Sequence, residues 1–364
     1  MAHRIVFQTN QLSIRGTEIA LYDYAQYNQE ILGNTSVIAF NATSHENNAE
    51  VVAKFEKKFD LYPYDHIRDL DLIIKTSQAD LLYRLRIGSG PQILAQSVPT
   101  MVHEVFPVSP KEIHGASCAF VSDWLAQIYS NEKIPSVPHM IDLPDIHQNL
   151  RDDLRIPAEA TVFGCHGGSG SFDIPFAKDC VRHVLEHRKD IYFIFLNITA
   201  FITHPRAIFL PASADLVYKV MFINACDAML HARRRGESFG LACGEFSARN
   251  KPVITYALSG ERNHIDTLGT RARLYLGPRT LMAQLLNFNR LDSEKMDWDA
   301  YSERFSPKNV MSLFNKHLVD VALSDSNLTA RPFSLSLHDS AICWANRAKI
   351  RGIKSTRLFS RLFL

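Results

Sequence analysis

Along the chain, short and nearly continuous apolar runs alternate with longer segments in which apolar residues recur about every three to four positions. The first kind reads as buried strand, the second as amphipathic helix. HRIVFQT predicts a strand, TEIALYDYAQYNQEIL a helix, TSVIAF a strand, and AEVVAKFEKKF a helix that ends before LYPYD. DLDLIIK, ADLLYRLRI, TMVHEVF and CAFVSDWLAQIY continue the alternation, with DLIIK strand-like. Strands interleaved with helices predict an α/β fold with a mostly parallel sheet.

Between about residues 135 and 158 the texture changes. PSVPHMIDLPDIHQNLRDDLRIP is polar and proline-spaced, which suits a connection between domains. A second alternation starts directly after it: ATVFGC (strand), a Gly/Ser loop, FAKDCVRHVLEHR (helix), IYFIFLNI and RAIFLPA (strands). DLVYKVMFINA (helix), CDAMLHA (strand), FGLACGEFSARN (helix), KPVITY (strand) and RTLMAQLLNFNRL (helix) complete it. No sequence repeat relates the two halves. The expected organisation is one Rossmann-like domain at 1–145, a second at 155–320, and an extension at 321–364 where the rhythm is lost. A chain of 364 residues has the length for two domains.

Composition narrows the class. Hydrophobic residues at 46% supply material for two cores, and a net charge of +2 is too small to point to nucleic acid as the partner. The six cysteines are scattered without a C-x-x-C pair, so buried, reduced thiols are expected. No apolar run approaches the roughly 18 residues of a membrane span, and MAHRIVFQT lacks a signal-peptide pattern, so a cytoplasmic protein is expected. The D-x-D at 69–71 reads as a structural carboxylate, no cluster with metal-ligand spacing is recognised, and no metal or cofactor is expected.

The chemistry concentrates in CDAMLHARRRGESFGLACGEFSARNKPVIT, residues 226–255. A strand delivers the chain through a turn into a helix opening near Phe239, with Glu237 just before it and Glu245 eight positions on. The amides of Ser238, Phe239, Gly240 and Leu241 are candidates for the unpaired donors of a helix start, which attract phosphate and sugar hydroxyls. Gly236 and Gly240 permit close approach to the backbone.

This E-x7-E pair, framed by GESFGL and followed by KPVIT, resembles retaining GT-B glycosyltransferases of the large family 4. The resemblance implies two Rossmann-like domains across a cleft, with a nucleoside-diphosphate sugar as donor substrate. It implies transfer of a hexose-like sugar to the hydroxyl of a glycan or lipid-linked acceptor, with retention and without a metal. The catalytic Glu237 and the amides of Ser238 to Leu241 would hold the sugar, and Glu245 the ribose diol. HGGSGS at 166–171 stands where the family approaches the diphosphate, which makes His166 and Gly167 donor-site candidates. The family's usual Arg after the Gly and Lys a few residues later are replaced by Gly168 and by nothing before Lys178. His166, Lys178, Lys219 or an arginine of 233–235 would have to carry that charge. IRGTEIALYDYA resembles the family's Gly-containing first loop, which nominates Gly16, with a helix N-cap at Thr17 as the other reading. PTMVHEVFP places His103 at the C-terminal end of a strand as a second catalytic candidate.

The missing Arg/Lys pair keeps a second reading open, a non-catalytic nucleotide-sugar or glycan-binding protein; a hydrolase or epimerase is a third. From Trp344 to Leu364 the tail has Arg347, Lys349, Arg351, Lys354, Arg357 and Arg361 and no acid. On a helical wheel Lys354, Arg357 and Arg361 oppose Leu358, Phe359, Leu362 and Phe363, the pattern of a helix lying on an anionic membrane surface, with a helix packing back across the first domain as the other reading.

Overall fold

The computed structural model describes residues 2–87, 94–112, 114–324 and 333–363, with the side chains of Pro110, Arg351 and 353–363 left out. The chain forms two compact units, residues 1–140 with 305–347 and residues 141–304 with 348–364.

In unit 1 the strands are β1 (Arg4–Thr9), β2 (Thr35–Asn41), β3 (Asp60–Tyr64), β4 (Leu81–Arg86), β5 (Thr100–Glu104) and β6 (Ser117–Phe120). They form one parallel sheet in the order β3-β2-β1-β4-β5-β6. Ile5, Val6 and Phe7 of β1 and Val37, Ile38 and Ala39 of β2 are fully buried, because helices cover both faces of a parallel sheet. The covering helices are α1 (Gly16–Glu30), α2 (Ala49–Glu56), α3 (Leu70–Ser77) and α4 (Asp123–Ser130). Side-chain caps start two of them: Asn48 accepts from the amides of Glu50 and Val51, and Ser122 from that of Leu125.

One expectation fails in this unit, and one strand lies in a stretch to which the sequence pattern assigns no element. DLIIK is not a strand but lies in α3, whose buried residues Leu70, Ile73, Ile74 and Ser77 follow helical spacing. LYPY, left outside the helix, is β3 at the sheet edge, where Pro63 costs no central ladder bond.

Unit 2 repeats the plan. Its strands are β7 (Thr161–His166), β8 (Ile191–Leu196), β9 (Ala207–Leu210), β10 (Ala228–His231), β11 (Gly236–Glu237), β12 (Val253–Tyr256), β13 (Glu261–Arg262) and β14 (Ala272–Tyr275). Six of them form a parallel sheet in the order β14-β12-β10-β7-β8-β9, and β11 pairs with β13 in a small separate ladder. Counted from its own first strand, this is the order of unit 1, the doubly wound Rossmann arrangement. The helices are α5 (Pro175–His187), α6 (Leu216–Ala225), α7 (Leu241–Ala248), α8 (Asn263–Leu268), α9 (Pro278–Leu286) and α10 (Arg290–Ser293). A side chain on Gly164 of β7 would meet Cys226 Sγ at 2.2 Å, so glycine lets α6 and β10 close against the strand. Arg151 forks onto Asp227 at 3.0 and 2.9 Å while Asp227 accepts from the Val162 amide, tying the linker to β7 and β10.

The chain then returns to unit 1 through α11 (Pro307–Phe314), a π-helical turn at Asn315–Val319, α12 (Asp320–Ser324) and the start of α13 (Leu337–Phe363), which from residue 348 on is grouped with unit 2. Unit 2's main segment therefore ends at Arg304, earlier than the 320 expected from the rhythm. The cause is aromatic: the fully buried Phe314 stacks on Tyr24 at 5.4 Å and on Phe7 at 6.4 Å in the unit 1 core.

Candidate functional site

In a doubly wound sheet the chain leaves the first and fourth strands towards opposite faces, which opens a crevice at their C-terminal ends. In unit 2 these strands are β7 and β10, ending at His166 and His231. Both histidines face a glutamate of the E-x7-E pair.

Glu245, on α7, is buried with Lys219 of α6 and His166 around it. Lys219 Nζ donates to Oε1, and His166 Nε2 lies 2.9 Å from Oε2 without hydrogen-bond alignment. Burial alone would raise the Glu245 pKa, but the charges of Lys219 and His166 outweigh it and hold the group at about 2. The His166 ring is stacked over Phe246 at 5.7 Å, which fixes its plane.

Glu237, in β11, is gripped by Arg233, whose Nη1 lies 2.9 Å from both carboxylate oxygens; His231 Nε2 is 3.2 Å away. Again burial raises the pKa, and His231 and Arg233 bring it down to about 2. Behind His231 runs a buried chain: its Nδ1 is 2.8 Å from Thr255 Oγ1, which is 2.9 Å from His264 Nε2. With His231 Nε2 donating to the carboxylate, Thr255 donates to His231 Nδ1 and accepts from His264 Nε2. That leaves His264 Nδ1 as a lone pair, and it is buried without a partner. Burial pushes the His264 pKa well below its ordinary value, which matches the neutral ring.

The turn between the carboxylates is shaped by glycine. Gly236 has φ +79°, and a Cβ there would lie 2.0 Å from the Glu261 carbonyl oxygen. Gly240, with φ +97°, precedes α7, which has no side-chain cap. The helix opens at Leu241, two residues after the expected start, and Ser238, Phe239 and Gly240 are buried beside it. Gly167 and Gly168 form the turn after β7, held by Asn197 donating to the Gly167 carbonyl and by Ser171 closing onto Gly168.

Of the cationic candidates, His166 and Lys219 converge on Glu245 and Arg233 on Glu237. Arg235 pairs with Glu261 at 2.6 Å, and Lys178 lies over the Phe201 ring. His231 becomes legible only in three dimensions, since a lone His in an apolar strand carries no sequence signal, while Lys219, one of several charge candidates in the sequence, is singled out by its pairing with Glu245.

The remaining two candidates belong to unit 1. Gly16 is the exposed first residue of α1, whose cap position is Arg15 without a side-chain bond, so Thr17 is not the N-cap. Thr17 donates instead to the buried Glu18. His103 is fully buried among Tyr24, Tyr83 and His139. Its Nε2 must donate to the Val137 carbonyl at 2.8 Å, so Nδ1 accepts from the Tyr83 hydroxyl, also at 2.8 Å. The expected ligand-facing histidine is a core residue with both nitrogens committed. All six cysteines are free, five of them buried. The spacing His183-x-x-Glu186-His187 on α5, passed over in the sequence, brings three ligand-type side chains together.

No protein-family model matches the chain, and no curated protein is similar in sequence. Solved structures are similar in fold. A glycosyltransferase from Rickettsia africae superposes with a TM-score of 0.58 at 12% identity, covering 97% of this chain and 98% of that one. Anabaena Alr3699/HepE, in complex with UDP and glucose, gives 0.59 at 14%, covering 88% and 97%. A UDP-N-acetylglucosamine 2-epimerase gives 0.53 at 12%, covering 86% and 96%. The chain has the GT-B fold. Its two parallel six-stranded sheets are the two Rossmann-like domains of that fold. GT-B proteins include transferases and epimerases among these neighbours, so the reaction has to be argued from the residues of unit 2.

Proposed function

We propose that the chain is a nucleotide-sugar-dependent glycosyltransferase whose donor is held by unit 2. The observation that carries this reading is the pair Glu237 and Glu245, eight positions apart, the first half-buried and the second buried, both held ionised at the C-terminal edge of the β7–β10 switch point. An ionised carboxylate is acceptor-only with about four lone-pair sites. Glu245 therefore keeps capacity for the two ribose hydroxyls beside Lys219. Glu237 and the amides of Ser238, Phe239, Gly240 and Leu241 receive the hexose, and Lys219, His166 and Arg233 supply the positive charge that a diphosphate needs. Transfer proceeds with retention: the leaving diphosphate takes the acceptor proton, and the protein contributes orientation and charge stabilisation without a metal. The acceptor is a glycan or a lipid-linked sugar, met in the cytoplasm with α13 on the membrane surface. A protein that binds the donor without turning it over is the second reading, favoured by the absent Arg/Lys pair and by the pairing of Lys219 and Arg233 with carboxylates.

The test is calorimetry with UDP and GDP, followed by donor hydrolysis and transfer assays. Charge-assisted hydrogen bonds are each worth about 1.5–3 kcal/mol, so Glu245→Ala should weaken diphosphate binding tenfold or more. Glu237→Gln should leave that affinity nearly unchanged and lower turnover about 100-fold or more. Unchanged nucleotide affinity in a folded Glu245→Ala protein removes the donor site. Tight binding without turnover of any donor establishes the binding protein, and an epimerised donor would identify an epimerase.

A further inference from the structure

We propose that the C-terminal turn of α5 is a binding site for a zinc-class divalent transition-metal ion, with His183, Glu186 and His187 as ligands. The three residues stand at i, i+3 and i+4 of one helix, the spacing that stacks side chains on a single face. Each offers one ligand atom, and these atoms lie within 4.8 Å of one another. The imidazoles are stacked with centroids 3.9 Å apart. His187 Nδ1 lies 2.8 Å from the His183 carbonyl oxygen, which can only accept, so the proton sits on Nδ1. The Nε2 lone pair of His187 therefore points away from the backbone, oriented as metal-binding histidines are by a bond on their other nitrogen.

Position favours a cation independently of the ligands. His187 is the last residue of the helix, at the negative end of the helix dipole, where Arg206 already donates to the Leu185 and Arg188 carbonyls. Of the neighbouring cations, Arg182 is paired with Asp179 at 2.6 Å and Arg188 with Asp190 at 2.6 Å. All three ligand residues are exposed, and exposed side chains change rotamer freely enough to close the remaining distance on one ion. Two imidazoles and a carboxylate select borderline ions such as Zn²⁺, Ni²⁺, Co²⁺ and Cu²⁺ over Mg²⁺ or Ca²⁺, and leave a coordination position for water.

The site is remote from the proposed donor chemistry. β7 ends at His166, and α5 runs back along the sheet to deliver the chain to β8 at Ile191. The ion would thus sit at the edge opposite Glu237 and Glu245, fastening the end of α5 rather than meeting a sugar.

The test is calorimetric titration of the full chain with ZnCl2 alone. One equivalent should bind to the wild type, the His183→Ala/His187→Ala double variant should lose it, and Glu186→Gln should weaken it tenfold or more. With Co²⁺, visible ligand-field bands should appear without a thiolate charge-transfer band, separating this site from the cysteines. Melting curves without metal should be the same for wild type and double variant, showing that the variant folds. Retention of the equivalent in the double variant, its absence in the wild type, or a thiolate band for the first ion bound would overturn the proposal.

Discussion

His103 and His139, both buried in unit 1, are kept neutral by desolvation, at about 4 and about 3 against an ordinary 6.5. As pH falls below 6.5 the unfolded chain takes up protons that the folded chain refuses. Their contribution to stability is therefore complete above that value and is lost as pH falls through about 4. For His103 the difference corresponds to about 3 kcal/mol. His103→Gln can keep an amide donor to Val137 and an acceptor for Tyr83, so it should fold, and its stability should depend less on pH between 6.5 and 4. Glu104 runs the other way: burial raises it to about 7, so its contribution fades as pH rises through that value. Urea melts at several pH values check this, and an unchanged slope in His103→Gln would show that the ring does not titrate as its burial requires. The sequence reads His103 as a ligand-facing residue at a strand end, and nothing local in it tells that from a core residue. His103 packs on Tyr83, which in turn packs on Phe314, more than two hundred positions away. The spacing and glycine frame of Glu237 and Glu245 are local, and so are Arg233 and His231 beside Glu237, whereas Lys219 and His166, which keep Glu245 ionised, come from other elements.

At the scale of elements, the two-residue strands β11 and β13 position Glu237. Gly236 is paired with Glu261 in that ladder at φ +79°, where a Cβ would collide with backbone. Gly236→Ala should cost more than about 2 kcal/mol, combining left-handed strain with a clash that only backbone movement relieves. Gly33 is the natural control. It has φ +69° but open space around its Cβ position, so Gly33→Ala should cost only about 1 kcal/mol. Thermal melts of the two variants should separate clearly; similar losses would mean that the β11–β13 ladder yields easily and does not hold Glu237. Most elements could be read from apolar period. The failures were short: α3, whose apolar run suits either period, the proline-bearing edge strand β3, and β14, where Arg273 interrupts the apolar pattern.

For the whole molecule, the division into two units was readable, because each half carries its own strand–helix rhythm and a proline-spaced segment parts them. The matching strand orders were not, since periodicity names elements without ranking them in a sheet. Nor was the return of the chain to unit 1, which rests on long-range aromatic packing. α13 extends from Leu337 to Phe363 and continues through Gly352, so the glycine does not end the helix. Among the described residues no helix is long and apolar enough to cross a membrane. The membrane-contact proposal falls on Lys354, Arg357 and Arg361 and on Leu358, Phe359, Leu362 and Phe363, whose side chains lie outside the described residues. The choice of truncation matters. Cys343 is buried and Asn131 donates to Asp339 at 2.9 Å, so cutting near residue 339 would damage unit 1. Ending the chain after Arg347 keeps that packing and removes Lys349, Arg351, Lys354, Arg357 and Arg361. Each basic residue near an anionic leaflet adds about 1 kcal/mol, screened over about 10 Å at 0.1 M salt. The full chain should therefore co-sediment with phosphatidylglycerol vesicles at low salt and release as salt rises, while the shortened chain stays in the supernatant. If both stay in the supernatant at low salt, the end of α13 is a packing element and the acceptor need not be sought at a membrane.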